Sequence, residues 1–259
     1  DAAGEAGSVA AAGTAIPPGR ARPACLDLAW GKGTGLIWMA GECVFFENPR
    51  NRFMRFRRAF DVVAPPRRAE LRLFADTHYI AWLNGVEVGR GPGRSDTTWA
   101  LFDTYDVAAL LKPGRNVLAV LALFHGFGTG GRRSVMQALL AHLEMESADG
   151  KRTHIVSDRS WKASPAEEFV RPTPRLHATL GCAEVQDLRR ADEGWHLPGY
   201  DDAAWAASDF IKPSLSNTPW YHFAPETLPP RTLTAHPFPR PVRSVDVALP
   251  LPPVEELGA

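Results

Sequence analysis

Asn84-Gly85 stands between two β-prone runs, Tyr79–Leu83 and Val86–Val88. A type I′ turn needs positive φ at both central residues, and Asn-Gly supplies it, so this stretch is predicted to be a tight hairpin. The same period of two extends around it. Over residues 53–63, Met54, Phe56, Phe60 and Val62 fall on one face, with Arg55, Arg57 and Asp61 on the other. That pattern marks a half-buried strand, and Pro65-Pro66 ends it. Leu71 and Leu73 share a face of a strand from Glu70 to Ala75, and Phe102–Val107 reads as another. Residues 106–111 fit one helical turn, stopped by Pro113-Gly114. Asn116–Phe124 is continuously apolar, as expected of a central strand covered on both faces. Residues 135–145 fit a strand and also a helical face. Asp149-Gly150 and the β-prone Thr153–Val156 beyond it favour a hairpin.

Punctuation decides the class. The 259 residues include 23 prolines, 22 glycines and eight tryptophans. Many turns with many aromatics predict an all-β fold, an antiparallel jelly-roll β-sandwich over residues 33–212. An Ala/Gly-rich segment, 1–32, precedes it. Eleven prolines follow residue 211, so 213–259 is expected to be an extended linker or strap toward a further domain. Lys plus Arg is 29 and Asp plus Glu is 29, which argues against a general nucleic-acid or anionic-membrane binder. No apolar run approaches the ~20 residues that span a bilayer. Cys25, Cys43 and Cys182 show no metal-ligand spacing, and an odd count makes no complete disulfide framework. The Ala-rich start fits an exported protein, secreted or periplasmic.

Four constellations could carry chemistry. Gly126-Phe127-Gly128-Thr129-Gly130-Gly131 matches the dinucleotide fingerprint after an apolar strand, which keeps a nucleotide-binding enzyme as one alternative. Arg132 and Arg133 stand where small or apolar residues would pack a helix on a sheet, and no strand–helix alternation follows. An Arg-rich stretch interleaved with Phe53, Phe56 and Phe60 could bind single-stranded nucleic acid. The competing account is a strand with its phenylalanines in the core and its arginines solvated or paired. Acid pairs such as Glu184 with Asp187, or Asp201 with Asp202, lack the opposed geometry of glycoside hydrolysis. The eight histidines show no metal-binding pattern. Residues 76–99 mix aromatics with hydrogen-bonding groups, the combination that holds a sugar. The carbohydrate-binding candidates there are Asp76, His78, Trp82, Arg90, Arg94, Asp96 and Trp99.

The ordered motifs resemble a family. Residues 55–60, Arg-Phe-Arg-Arg-Ala-Phe, are followed by Leu-Arg-Leu-Phe-Ala-Asp at 71–76, Trp-Leu-Asn-Gly at 82–85 and Gly-Arg-Gly-Pro-Gly-Arg-Ser-Asp at 89–96. Then come Asp-Thr-Tyr-Asp-Val at 103–107, Pro-Gly-Arg-Asn at 113–116, residues 158–161, and the closing stretch Gly194-Trp195 with Pro198–Trp205. Over about residues 36–245 the series resembles the N-terminal β-domain of bacterial α-L-rhamnosidases and related family 78 glycoside hydrolases. The resemblance implies a galactose-binding-domain-like sandwich. It also implies a non-catalytic carbohydrate-associated module that binds sugar weakly, rhamnose-containing glycans included, or packs on a catalytic domain or subunit. In such enzymes the catalytic acids sit in a following α-helical toroid, so no residue here inherits a catalytic role. No cofactor is expected, with calcium the one ion the resemblance admits. A purely structural interaction domain remains the other alternative.

Overall fold

The computed structural model describes residues 30, 33–39, 50–94, 99–130, 134–211, 219–220 and 222–229. Cys25, Cys43, Asp96, Gly131, Arg132, Arg133 and most of segments 1–32 and 213–259 lie outside the described residues. The strands are β1 (Leu36–Met39), β2 (Arg52–Val62), β3 (Arg68–Asp76), β4 (His78–Leu83), β5 (Val86–Gly91) and β6 (Trp99–Asp106). They continue with β7 (Gly114–Phe124), β8 (Ala138–Glu146), β9 (Arg152–Val156), β10 (Lys162–Pro165), β11 (Ala206–Ile211) and β12 (His222–Pro225). The helical turn expected after β6 is a single 3-10 turn, Ala108–Leu110.

The strands form two layers. One runs β12-β6-β3-β8-β1, with β9 sharing the outer edge of β8, and the other runs β10-β2-β7-β4-β5. β11 pairs with both β1 and β10 and so closes one side of the sandwich with backbone hydrogen bonds. On the opposite side, no ladder joins β5 to β6 among the described residues. The described pairings are antiparallel except for β12, which runs parallel to β6. This departs from the purely antiparallel expectation. β12 returns to the sheet from the Pro-rich segment, and its place at the edge tolerates proline because no further strand needs the missing N–H.

The period-two reading holds inside the core. Met54, Phe56, Phe60 and Val62 of β2 meet Leu71, Leu73 and Ala75 of β3 between the layers, around buried Trp38 and Trp161. Leu118, Val120 and Ala122 of β7 join them, while Val117 and Ala119 are buried on its other face. Residues 138–146 are strand rather than helix, and β8 and β9 form the expected hairpin. The glycine loop therefore leads into a strand: Gly130 N–H donates to Thr179 O (2.8 Å) and Arg175 donates to Gly128 O (2.6 Å). A pyrophosphate site would need a helix N-terminus there, so the nucleotide reading is overturned.

Asn84 and Gly85 have φ of 54° and 85°, as the hairpin requires. Asn84 does more than turn the chain. Its side-chain amide donates to Leu110 O (2.9 Å) and to Asn116 Oδ1 (2.7 Å), and its own Oδ1 accepts from Val117 N (2.9 Å). Asn116, fully buried, donates in turn to Lys112 O and Gly114 O. The Asn-Gly hairpin and the Pro-Gly-Arg-Asn connection are thus one hydrogen-bonded unit.

The outward faces are also covered. Trp30, Trp220 and Phe223 pack on Phe74, Leu140 and Phe102 outside the first layer. The rest of that face is polar: His142 and Glu144 on β8, Arg72 and Glu70 on β3, Arg152 and His154 on β9. Burial first, then Arg72 and His154, pull His142 down to about 4, so its ring is neutral at pH 7. On the second layer, Phe53 stacks on Phe169 at 3.8 Å between centroids, and residues 195–205 cover β2, β7 and β4.

Arg55 and Arg57 of β2 point outward, yet their side chains are only 3% and 0% exposed. Arg55 pairs with Glu168, which lies under the cover beside β10. Arg57 Nε donates to Asp202 (2.9 Å), and its two terminal nitrogens donate to the carbonyls of Trp195, Leu197 (3.2 Å) and Tyr200 (3.3 Å). The guanidinium also lies 5.0 Å from the Tyr200 ring centre and 6.0 Å from that of Trp205. A single arginine so anchors the covering segment at four points. The acid pairs are occupied likewise. Asp202 serves Arg57, Asp201 caps Ala203 N–H, and Asp187 caps the turn at Arg189.

Removing one partner of a buried ion pair strands the other, at about 3–5 kcal/mol. Arg57→Met should lower the urea-unfolding free energy by that amount. Arg67→Met, which breaks an exposed, solvent-screened pair with Glu146, should leave the unfolding midpoint nearly unchanged. Asn84→Gly keeps the turn but removes its side-chain bonds, and should cost about 1–3 kcal/mol in the same measurement.

Candidate functional site

The open side of the sandwich is bridged by side chains instead of a ladder. β5 and the residues after it carry glycine at every second position, Gly89, Gly91 and Gly93. A Cβ at Gly89 would collide with the Tyr105 ring, one at Gly91 with the Asp103 carboxylate, and one at Gly93 with the Glu226 carboxylate. Gly89 and Gly91 share one side of β5, and Gly93 follows beyond it, so the missing side chains leave room for groups from β6 and for Glu226 just after β12. Tyr79 of β4 reaches across from within the core. Its hydroxyl donates to Asp103 and also lies 2.9 Å from the Tyr105 hydroxyl. Burial, and then the charge of Asp103, raise the Tyr79 pKa well above the usual phenol value, so it remains an O–H donor.

Above this row lies a groove of about 620 Å³, lined by Arg90, Arg94, Asp103, Tyr105 and Glu226, with Leu101 and Leu228 as apolar patches. Arg90 holds Glu87 with two hydrogen bonds of 2.7 and 3.0 Å, a bidentate arrangement that fixes its guanidinium plane. These bonds hold the Glu87 carboxyl below its ordinary pKa. One Glu226 oxygen accepts from Thr227 and Leu228 N–H, which leaves the other beside Gly93. Guanidinium donors and carboxylate and phenol acceptors therefore converge on one space. That is the chemistry of hydroxyl recognition.

The candidates read from the sequence do not form one site. Arg90 and Arg94 line the groove. Asp76 is buried at the end of β3, where Oδ2 accepts Val135 N–H (2.6 Å) and Met136 N–H (3.0 Å). His78 lies edge-on to His125 at 5.4 Å, near the glycine loop. Trp82 is half-buried on the outer face of β4, edge to face with Trp195 at 5.4 Å and tilted on His196. Trp99 begins β6, opposite His222 of β12, with its side chain outside the described residues, as is Asp96. The sequence reading missed Tyr79, Asp103, Tyr105 and Glu226. A usable signal was present in the period-two glycines, which imply large groups arriving from a neighbouring element.

Gly91→Ala should destabilise the fold by about 1–3 kcal/mol through overpacking against Asp103 and Tyr79. Trp82→Ala should cost about 2–3 kcal/mol, less than a fully buried tryptophan, because the covering segment loses one side of its packing. Thermal or urea unfolding checks both.

Residues 64–243 match the family described as the α-L-rhamnosidase N-terminal domain. An α-L-rhamnosidase of Streptomyces avermitilis is 36% identical over 154 residues, 54% of this chain and 14% of that protein. The crystal structure of a GH78 family rhamnosidase of Bacillus sp. GL1 superposes with a TM-score of 0.69 at 34% identity, covering 76% of this chain and 20% of that one. The α-L-rhamnosidase of Dictyoglomus thermophilum shares the fold, with a TM-score of 0.60 at 22% identity over 76% of this chain and 22% of its own. The chain thus spans about a fifth or less of the length of the first two relatives. Its ordered motifs, its two-layer β fold and this match agree, and the chain belongs to the family of α-L-rhamnosidase N-terminal domains.

Proposed function

We propose that this chain is a non-catalytic, carbohydrate-associated module of an α-L-rhamnosidase-type glycoside hydrolase, and that the β5–β6–β12 groove is where it meets sugar. The observation that carries the reading is the convergence of Arg90, Arg94, Asp103, Tyr105 and Glu226 on a space of about 620 Å³. Such a set can donate to and accept from ring hydroxyls. Its openness to water makes the expected affinity weak, in the millimolar range of about −4 kcal/mol. Rhamnose-bearing glycans are the first ligands to test, given the family. A neighbouring catalytic domain or subunit is the macromolecular partner.

Calorimetric titration with L-rhamnose and with a rhamnosyl disaccharide tests the groove. Arg94→Ala should abolish the heat of binding while leaving the unfolding temperature unchanged, since Arg94 is exposed. Aryl rhamnoside hydrolysis by the purified chain should stay at the buffer rate. Hydrolysis above that rate overturns the non-catalytic assignment. A null titration across rhamnose, galactose and glucuronate overturns sugar binding and leaves the structural interaction role.

A further inference from the structure

On the polar half of the first layer's outer face, His142, Glu144 and His154 bring three ligand atoms within 4.8 Å of one another. The strand pairing creates the group. His142 and Glu144 are two apart on β8 and so share a face, and His154 of β9 lies directly opposite Glu144. No helical spacing is involved, which is why a search for His pairs four apart passes over it.

The distances suit one small ion. His142 Nε2 lies 3.0 Å from His154 Nδ1, and that nitrogen lies 3.8 Å from a Glu144 oxygen. Ligands around a tetrahedral ion with bonds near 2.0–2.1 Å are spaced by about 3.3 Å, between those two values. The carboxylate is already aimed, because Arg152 holds its other oxygen at 3.3 Å. Arg72 flanks His142 from β3 but is paired with Glu70, and Arg152 also reaches Glu146 at 3.5 Å. Arg72 still acts on His142 ahead of the nearby carboxylates, so a bound cation would rely on direct ligation by the two imidazoles and Glu144.

His142 presents Nε2 to the cluster. It is 3% exposed, and its Nδ1 has no hydrogen-bond partner among the described residues. Its one described polar link is to another imidazole. An ion between Nε2 and His154 Nδ1 would take a lone pair from each ring, while the buried Nδ1 lies on the other side of the His142 ring and calls for a separate partner such as an ordered water. Two imidazoles and one carboxylate form a donor set of borderline softness, suited to zinc-class divalent ions and not to calcium, which takes oxygen ligands.

We propose that His142, Glu144 and His154 form a zinc-class metal site that clips the edge strand β9 to β8, with a fourth coordination position open to water. The half-exposed Glu144 and His154 give that position access to solvent.

The test uses the whole chain, stripped with EDTA and titrated with zinc chloride by calorimetry, then with cobalt(II) by absorption spectroscopy. One saturable site of micromolar affinity is expected, with the intense visible bands of four-coordinate cobalt and a higher unfolding temperature in zinc. His154→Ala should weaken zinc binding at least about tenfold while leaving the unfolding temperature of the EDTA-treated chain nearly unchanged. Glu144→Gln should weaken it as well, which keeps the test decisive if the histidine variant misfolds. Cys182→Ser should bind as the parent does. No saturable binding below about 100 µM zinc, or full binding by both site variants, overturns the proposal and leaves a hydrogen-bonded imidazole pair.

Discussion

The guanidinium of Arg57 is the point on which the outer half of the molecule depends. It sits on the face of β2 that the alternation assigns to solvent, yet it is fully covered. An unpaired cation there would cost several kcal/mol. Four acceptors remove that cost: Asp202 and the carbonyls of Trp195, Leu197 and Tyr200. Each acceptor belongs to the covering segment 195–205, which has no regular structure. The arginine and the loop therefore satisfy one another. Lys162 adds a donor to Asp202 O at 2.9 Å, tying β10 into the same clasp. With that segment fastened, Trp82, Trp195 and Trp205 form a second apolar layer outside the sheet.

The two sides of the sandwich are closed by different means, and this difference places the groove. β11 closes one side by pairing with both layers. On the other side β5 and β6 approach without a ladder. Glycines 89, 91 and 93 admit Tyr105, Asp103 and Glu226 into the gap. A side-chain bridge leaves donors and acceptors facing outward, whereas a ladder would have consumed them. The position of the groove follows from the way the sandwich is left open.

Local features were legible in the sequence. The Asn84-Gly85 turn, the central apolar strand before His125 and the inward face of Met54, Phe56, Phe60 and Val62 follow from turn chemistry and a period of two. The family was legible from the order of its motifs. What depends on long-range pairing was not. Arg55 and Arg57 read as solvated or paired, and only the fold shows that their partners lie more than 100 residues away. Asp76, Trp82 and Arg90 look adjacent in the chain, but alternate strand faces and a hairpin send them to three different surroundings. His142 and His154 look unrelated until the β8–β9 register sets them side by side. The return of the Pro-rich segment as a parallel edge strand also has no local signal, because pairing direction is decided by the partner and not by the strand itself.

We propose that a non-catalytic module of this family presents one sugar-facing groove at the β5–β6 opening. Amide chemical-shift mapping during titration with L-rhamnose tests it most directly. The account predicts saturable shifts confined to residues of β5, β6 and 226–229. Shifts centred on Trp82 and the 195–205 cover, or no shifts at millimolar sugar, would contradict it.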